Sequence, residues 1–337
     1  MWRQYKLLLS SCEPSMASII PFSEPEKNII ATIVWFDLFE YPLTLEELER
    51  FCLGKKNDPI EKVTIEKTGK ELINNGKIDF RNGYYFLKGR AKIIETRIER
   101  SLIAKKLWKK VESKLPWLGM VPFIKMAAVC NTLAFNNPTS ESDIDLFIIT
   151  EKKRLFITRT LSTLLFHLLG IRRHGNKIAG RFCLSFYISE ESMDLEKIKL
   201  ENDIYLAYWM RTLKPKYGKE SWNNFLNSNR WLEEFLPYDN NANFEETPIN
   251  NFISISRFFS GISKTLAWTL NGRIGDILEN WIFQIQKKRH LKRKDALSLK
   301  SSIIIERNML KFHNIDRRKE YREQFFRKFY EVLKENS

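Results

Sequence analysis

From Ser142 to Thr150 the chain reads Ser-Asp-Ile-Asp-Leu-Phe-Ile-Ile-Thr. Ile144, Leu146, Phe147, Ile148 and Ile149 are apolar at odd and even positions alike. That predicts a strand buried on both faces, which is stable only inside a sheet with cover on each side. The first residues depart from the pattern. Asp143 and Asp145 alternate with apolar neighbours at period two, so both carboxylates share one face, roughly 6–7 Å apart along the chain. Two such charges repel unless a cation lies between them. Mg²⁺ is held in this way, by one or two carboxylates together with substrate phosphate oxygens. Alone, Asp-x-Asp also describes a solvated strand end, and the residues ahead of it decide between the two.

Those residues are Val129-Cys130-Asn131-Thr132-Leu133-Ala134-Phe135-Asn136-Asn137. Followed by Ser142-Asp143-Ile144-Asp145-Leu146, the segment resembles the signature of the polymerase-beta-like nucleotidyltransferase superfamily. Members commonly read Gly-Ser-Leu-Ala-x-Gly and then Ser-Asp-Ile-Asp-Leu. The strand-helix-strand order extends the resemblance over residues 100–190. It implies an α+β fold with a nucleotidyltransferase-like mixed β-sheet flanked by helices. The implied reaction moves a nucleoside monophosphate from a nucleoside triphosphate (NTP) to an acceptor hydroxyl, with Mg²⁺ as cofactor and pyrophosphate as the leaving group. The implied metal ligands and catalytic residues are Asp143 and Asp145. The implied nucleotide-binding residues are Asn131, Thr132, Ser142 and Ser185, with the Thr132 hydroxyl on a phosphate.

Two departures from the family pattern matter. Asn131 and Asn136 stand where the family has glycine, and asparagine tolerates the left-handed backbone best after glycine. The turn therefore survives, while side chains crowd the approach of a phosphate. Second, the family places a third carboxylate on a later strand facing the first two. Here that strand is Cys183-Leu184-Ser185-Phe186-Tyr187-Ile188, without an acid. Simple alternation points Ser185 into the site alongside Cys183 and Tyr187, and Glu190, Glu191 and Asp194 follow the strand. A third carboxylate helps to hold the metal that activates the attacking hydroxyl and accepts its proton. Its absence motivates an alternative from another class: a catalytically weak or inactive nucleotidyltransferase fold acting as a nucleic-acid-binding or regulatory module.

The rest of the chain divides by pattern. Residues 1–24 form a disordered or extended N-terminus. Arg3 and Lys6 ahead of Leu7-Leu8-Leu9 echo a lipoprotein signal, but the apolar run is too short. Residues 25–90 predict a winged-helix-like domain of three helices and a hairpin. The second helix opens on the capping box Thr44 to Glu47, and the hairpin turns at Asn82-Gly83. Its third helix carries Lys62, Lys67 and Lys70 against Glu61, Glu66 and Glu71, a neutral balance that favours packing over DNA reading. Residues 91–236 make the nucleotidyltransferase-like domain with a leading helix, whose apolar stripe is Ile93, Ile94, Ile98, Leu102 and Leu107. Residues 237–251 read as a linker, and 252–337 as a basic, helical C-terminal region.

Charge and cysteine content constrain function. Lys and Arg number 56 against 41 Asp and Glu, a net +15 that favours polyanionic partners. From Arg273 onward there are 17 Lys or Arg against 9 Asp or Glu, and Lys287 to Lys294 is a dense basic run that reads either as a solvated helix face or as a contact for nucleic-acid phosphates. Arg172, Arg173, His174 and Lys177 form a basic loop near the expected site, where His174 is either simply solvated or in reach of a triphosphate. The 13 glycines in 337 residues are too few for a Gly-rich phosphate cradle. The four cysteines, at 12, 52, 130 and 183, include no CxxC and read as reduced thiols of a cytoplasmic protein. The longest apolar stretch, Leu155 to Ile171, holds Arg159 and His167 and is too short and polar to span a bilayer. No membrane partner is expected; the acceptor and the oligomeric state are left open.

Overall fold

The computed structural model describes residues 22–54, 60–237, 261–291, 303–312 and 316–334. The expected N-terminus up to residue 21, the linker from 238 to 251 and Lys292 to Lys294 of the basic run lie outside them. The fold is α+β, with a mixed six-stranded sheet between helices.

The N-terminal unit follows its local signals. Helix α1 (Glu24–Asp37) starts at a capping box between Ser23 and Glu26. Helix α2 (Leu45–Phe51) starts at the expected Thr44–Glu47 box, and α3 (Lys62–Asn74) follows. The hairpin β1 (Ile78–Arg81) and β2 (Tyr84–Leu87) turns through Asn82 and Gly83. Both have positive φ, 54° and 83°, as a two-residue turn of this hand requires. Leu43 exchanges both backbone hydrogen bonds with Tyr85 and adds a rung to the hairpin.

Helix α4 (Ile93–Lys114) leads into the sheet. Its buried residues are Ile93, Ile94, Arg97, Ala104 and Val111, while Ile98 and Leu102 are exposed. The stripe expected from the sequence is therefore rotated. Arg97 takes an inward place because Glu47 pairs with it at 2.6 Å and its guanidinium lies 3.6 Å over the Tyr41 ring.

Strands β3 (Ile124–Cys130), β4 (Ile144–Thr150) and β5 (Phe182–Ser189) form the centre of the sheet. The pair β3–β4 is antiparallel and β4–β5 parallel. The crossover between the parallel strands is α6 (Leu155–Leu168); a short α5 (Asn131–Ala134) follows β3. Beyond β5 come α7 (Ile204–Thr212), the edge strand β6 (Lys214–Tyr217) and α8 (Lys219–Asn227). The last elements are α9 (Gly272–Leu291), β7 (Ile304–Ile305), β8 (Met309–Lys311) and α10 (Arg318–Lys334). The strand order is β6-β3-β4-β5-β8-β7.

Two features correct the sequence expectation. The C-terminal region is not wholly helical: β8 pairs with Phe186 to Ile188 of β5, and β7 pairs with β8. The β-branched run before Arg307-Asn308 makes a hairpin that the helical pattern on either side obscures. Second, β5 carries a bulge. Asp145 pairs with Cys183 and Phe147 with Phe186, so three steps on β5 match two on β4. Simple alternation ends there. Phe186 and Ile188 join Phe147 and Ile149 in one core, and Tyr187 turns to the other with Leu146 and Ile148.

These two cores lie on opposite faces of the sheet. One joins Phe147 and Phe186 to α1, α2, α7, α8 and α10. The other lies under α4, α6 and α9. Trp35 of α1 stacks on Tyr208 of α7 at 5.3 Å, and Asp37 at the end of α1 pairs with Lys328 of α10. The N-terminal unit, the sheet and the C-terminal helix therefore share one apolar interior.

Candidate metal centre

The site forms where β3 ends and β4 begins. Antiparallel pairing sets Cys130 opposite Asp145, and parallel pairing sets Cys183 opposite the same aspartate. The chain leaves β3 through Asn131 at φ 59° and closes the turn at Asn136 at φ 57°. Both asparagines thus adopt the left-handed backbone that the sequence predicts for them. The turn is braced from outside. Phe135 touches the rings of Phe36, Phe39 and Tyr41. The Asn137 amide donates to the Phe39 carbonyl at 2.9 Å, and Trp108 Nε1 donates to Asn136 Oδ1 at 2.8 Å.

Asp143 Oδ, Asp145 Oδ and Cys183 Sγ lie within 4.8 Å of one another. The carboxylates do share a face, as their spacing predicts, and the third position around them is a thiol. Burial and the Asp143 charge push the Asp145 carboxyl up to about 6. Burial, reinforced by Asp145 and then Asp143, raises the Cys183 thiol and keeps it neutral. Asn131 Nδ2 donates to Asp145 Oδ2 at 2.8 Å, and Trp209 Nε1 donates to Asn131 Oδ1 at 3.0 Å. Asn131 is therefore fixed between an indole and a carboxylate, and works on Asp145.

Asp143 has its own partner. Arg173 Nη1 donates to Asp143 Oδ2 at 2.6 Å and lies 3.7 Å from Cys183 Sγ. Burial works against the charge on Arg173, and the charge and hydrogen bonds of Asp143 and Cys183 together outweigh it and hold the guanidinium above its ordinary value. A cation does stand beside the aspartates, and it belongs to the protein.

The other expected residues fall as follows. Thr132 is half-buried on the turn, with its carbonyl accepting from Asn137 N–H. Ser142 Oγ accepts from Thr139 N–H at 2.9 Å and serves the loop before β4. Ser185 is buried at the bulge, its hydroxyl against the Cys183 thiol. Tyr187 is excluded because the bulge turns it to the opposite core. Glu190, Glu191 and Asp194 are excluded by the parallel pairing, which puts Ser189 opposite Thr150 at the far end of β4. The rings of His167 and His174 face each other at 5.6 Å.

Sequence reasoning placed Arg173 near the site but not on Asp143, and by alternation turned Cys183 into the site together with Ser185 and Tyr187, without assigning it a role. The Asp143 contact of Arg173 follows from the course of the loop after α6, and the place of Cys183 opposite Asp145 from the parallel register. No family model, curated protein or solved structure matches the chain.

Proposed function

We propose that the protein is a Mg²⁺-dependent nucleotidyltransferase, and the observation that carries this reading is the carboxylate pair on β4 beside a left-handed turn at the end of β3. The donor set fits the ion in part. Two carboxylates suit a hard cation that completes its shell with phosphate oxygens. The neutral Cys183 thiol is a soft donor and does not suit it. Asp143 and Asp145 would hold the ion, which supplies charge neutralisation for the triphosphate when bound. Thr132 and the amides of its turn would hold the phosphates, and Arg173 would pass from Asp143 to a phosphate oxygen. An acceptor hydroxyl attacks the α-phosphorus, its proton leaves to solvent or a base, the bond to the β-phosphate oxygen breaks, and pyrophosphate departs. The hairpin and three helices of the N-terminal unit support a winged-helix reading with a bracing role.

A second reading has specific support. Among the described residues no third carboxylate faces the pair, and Arg173 already neutralises Asp143. A fold with these features binds a nucleotide or nucleic acid without transfer. Incubation with Mg²⁺ and each labelled NTP separates the two. Release of pyrophosphate with label on an acceptor, lost at least about 100-fold in Asp143→Asn and Asp145→Asn, supports the transferase. Nucleotide binding without pyrophosphate supports the binder.

A further inference from the structure

Helix α9 carries an apolar stripe on its outer side. Ile274, Ile277, Trp281 and Ile285 are spaced by three, four and four residues, and are 70%, 72%, 61% and 44% exposed. That spacing places them along one face of the helix. The opposite face is committed to the body of the protein. Gly275, Glu279 and Phe283 are buried there, and Gln286 meets Arg159 and Thr160 of α6. Trp268, on the helical segment 261–270 just before α9, is 82% exposed.

Charge on the same elements is one-sided. Lys264, Arg273, Lys287, Lys288 and Arg289 are all exposed. Of the two acids of α9, Glu279 is buried and accepts from the backbone of α6, and the exposed Asp276 is neutralised by its pair with Arg154. We infer that α9 seats the protein on an anionic lipid surface, with Ile274, Ile277, Trp281 and Ile285 entering the acyl boundary and the flanking cations meeting headgroup phosphates. A helix with aromatic and aliphatic residues on one side and Lys or Arg around them lies in the membrane interface plane. None of the helices is long and apolar enough to cross a membrane among the described residues, so the contact is peripheral. The sequence expectation of no membrane partner weighed a spanning segment and an N-terminal lipoprotein signal, not an interfacial helix.

A second copy fits less well. Antiparallel pairing about the middle of the stripe sets Arg273 against Lys287, and parallel pairing sets each lysine against itself. Like charges oppose either arrangement, and four side chains fall short of the roughly 20–30 residues per side of a stable interface. Nucleic acid would engage the cations but leave the isoleucines without an apolar partner.

The experiment is co-sedimentation of the full chain with phosphatidylcholine vesicles, with and without phosphatidylglycerol, at several salt concentrations. Wild type should pellet with the anionic vesicles and stay in solution with the neutral ones. Ile277→Ser/Trp281→Ser should weaken binding at least about 10-fold, with an unchanged melting temperature because both residues are exposed. Lys288→Ala/Arg289→Ala should lose about fivefold per cation at low salt. The inference is overturned if wild type does not pellet with anionic vesicles or if the stripe variant pellets like wild type. It is equally overturned if sedimentation velocity shows a dimer that the stripe variant dissociates, or if the stripe variant abolishes binding to RNA.

Discussion

Asp145 is the residue on which the site's chemistry turns. Its carboxyl is raised to about 6 by burial and by Asp143, so the folded, metal-free protein holds this proton more tightly than the unfolded chain does. The penalty for the buried charge is absent below the unfolded value, grows as pH rises and is complete above about 6. Asp145→Asn keeps an acceptor for Asn131 and sheds the charge. It should be more stable than wild type at neutral pH, with the advantage gone in acid; urea unfolding of both proteins across this range would show the two curves converge as pH falls. Arg173 gives the complementary expectation. Its ion pair with Asp143 at 2.6 Å occupies an oxygen that an added cation needs. Arg173→Ala should bind Mn²⁺ about 10-fold or more tightly than wild type, and should be destabilised when metal is chelated. Equal affinities by titration would show that the guanidinium and the metal do not compete. Asn131→Gly, attractive from the sequence as a way to open the turn, removes the bond that orients Asp145 and should therefore weaken metal binding.

At the scale of elements, one carboxylate ties α9 to the first turn of α6. Glu279 Oε1 and Oε2 accept from Phe156 N–H at 2.7 Å and Ile157 N–H at 2.8 Å. These are unpaired donors of the first turn of α6, where negative charge is also favoured by the helix dipole. Burial raises the Glu279 carboxyl despite both bonds, so the charge itself is held at some cost. Glu279→Ala leaves two buried donors without acceptors and should destabilise by about 1–3 kcal/mol. Glu279→Gln keeps one acceptor without the charge and should lose less; chemical denaturation of the pair ranks them. The β5 bulge acts at the same scale. One added residue sends Tyr187 to the α6 side and leaves Cys183 with the aspartates, and no local pattern in Cys183 to Ile188 announces it.

For the whole molecule, ion pairs link distant parts of the chain across a common interior. Asp203 caps α7, is 2% exposed and pairs with Arg318 of α10 at 2.9 Å. Arg318→Ala would leave a buried carboxylate without its counter-charge and should cost about 3–5 kcal/mol, read as a shift of the urea midpoint. Phe325, Phe326 and Phe329 of α10 complete the core that holds α1 and the site face of the sheet. The segment assigned from sequence to a separate C-terminal region is thus part of the sheet and of its cover.

What the sequence determined by itself is local. The buried strand, the shared face of Asp143 and Asp145, the Thr44 capping box, the Asn82-Gly83 hairpin and the left-handed turn at Asn131 and Asn136 each depend on residues a few positions apart. Period and backbone preference are enough to set them. Alternation also turned Cys183 toward the carboxylates; the tertiary structure alone added Arg173, by the course of the loop after α6, removed Tyr187 by the bulge in β5, and kept out any acid from beyond β5, because parallel strands carry Glu190 to the far end. It also decided which side of α4 is buried and that α9 keeps an apolar side uncovered among the described residues. Register, bulges and helix rotation are set by many weak contacts between segments distant in the chain, and no window of the sequence contains both partners.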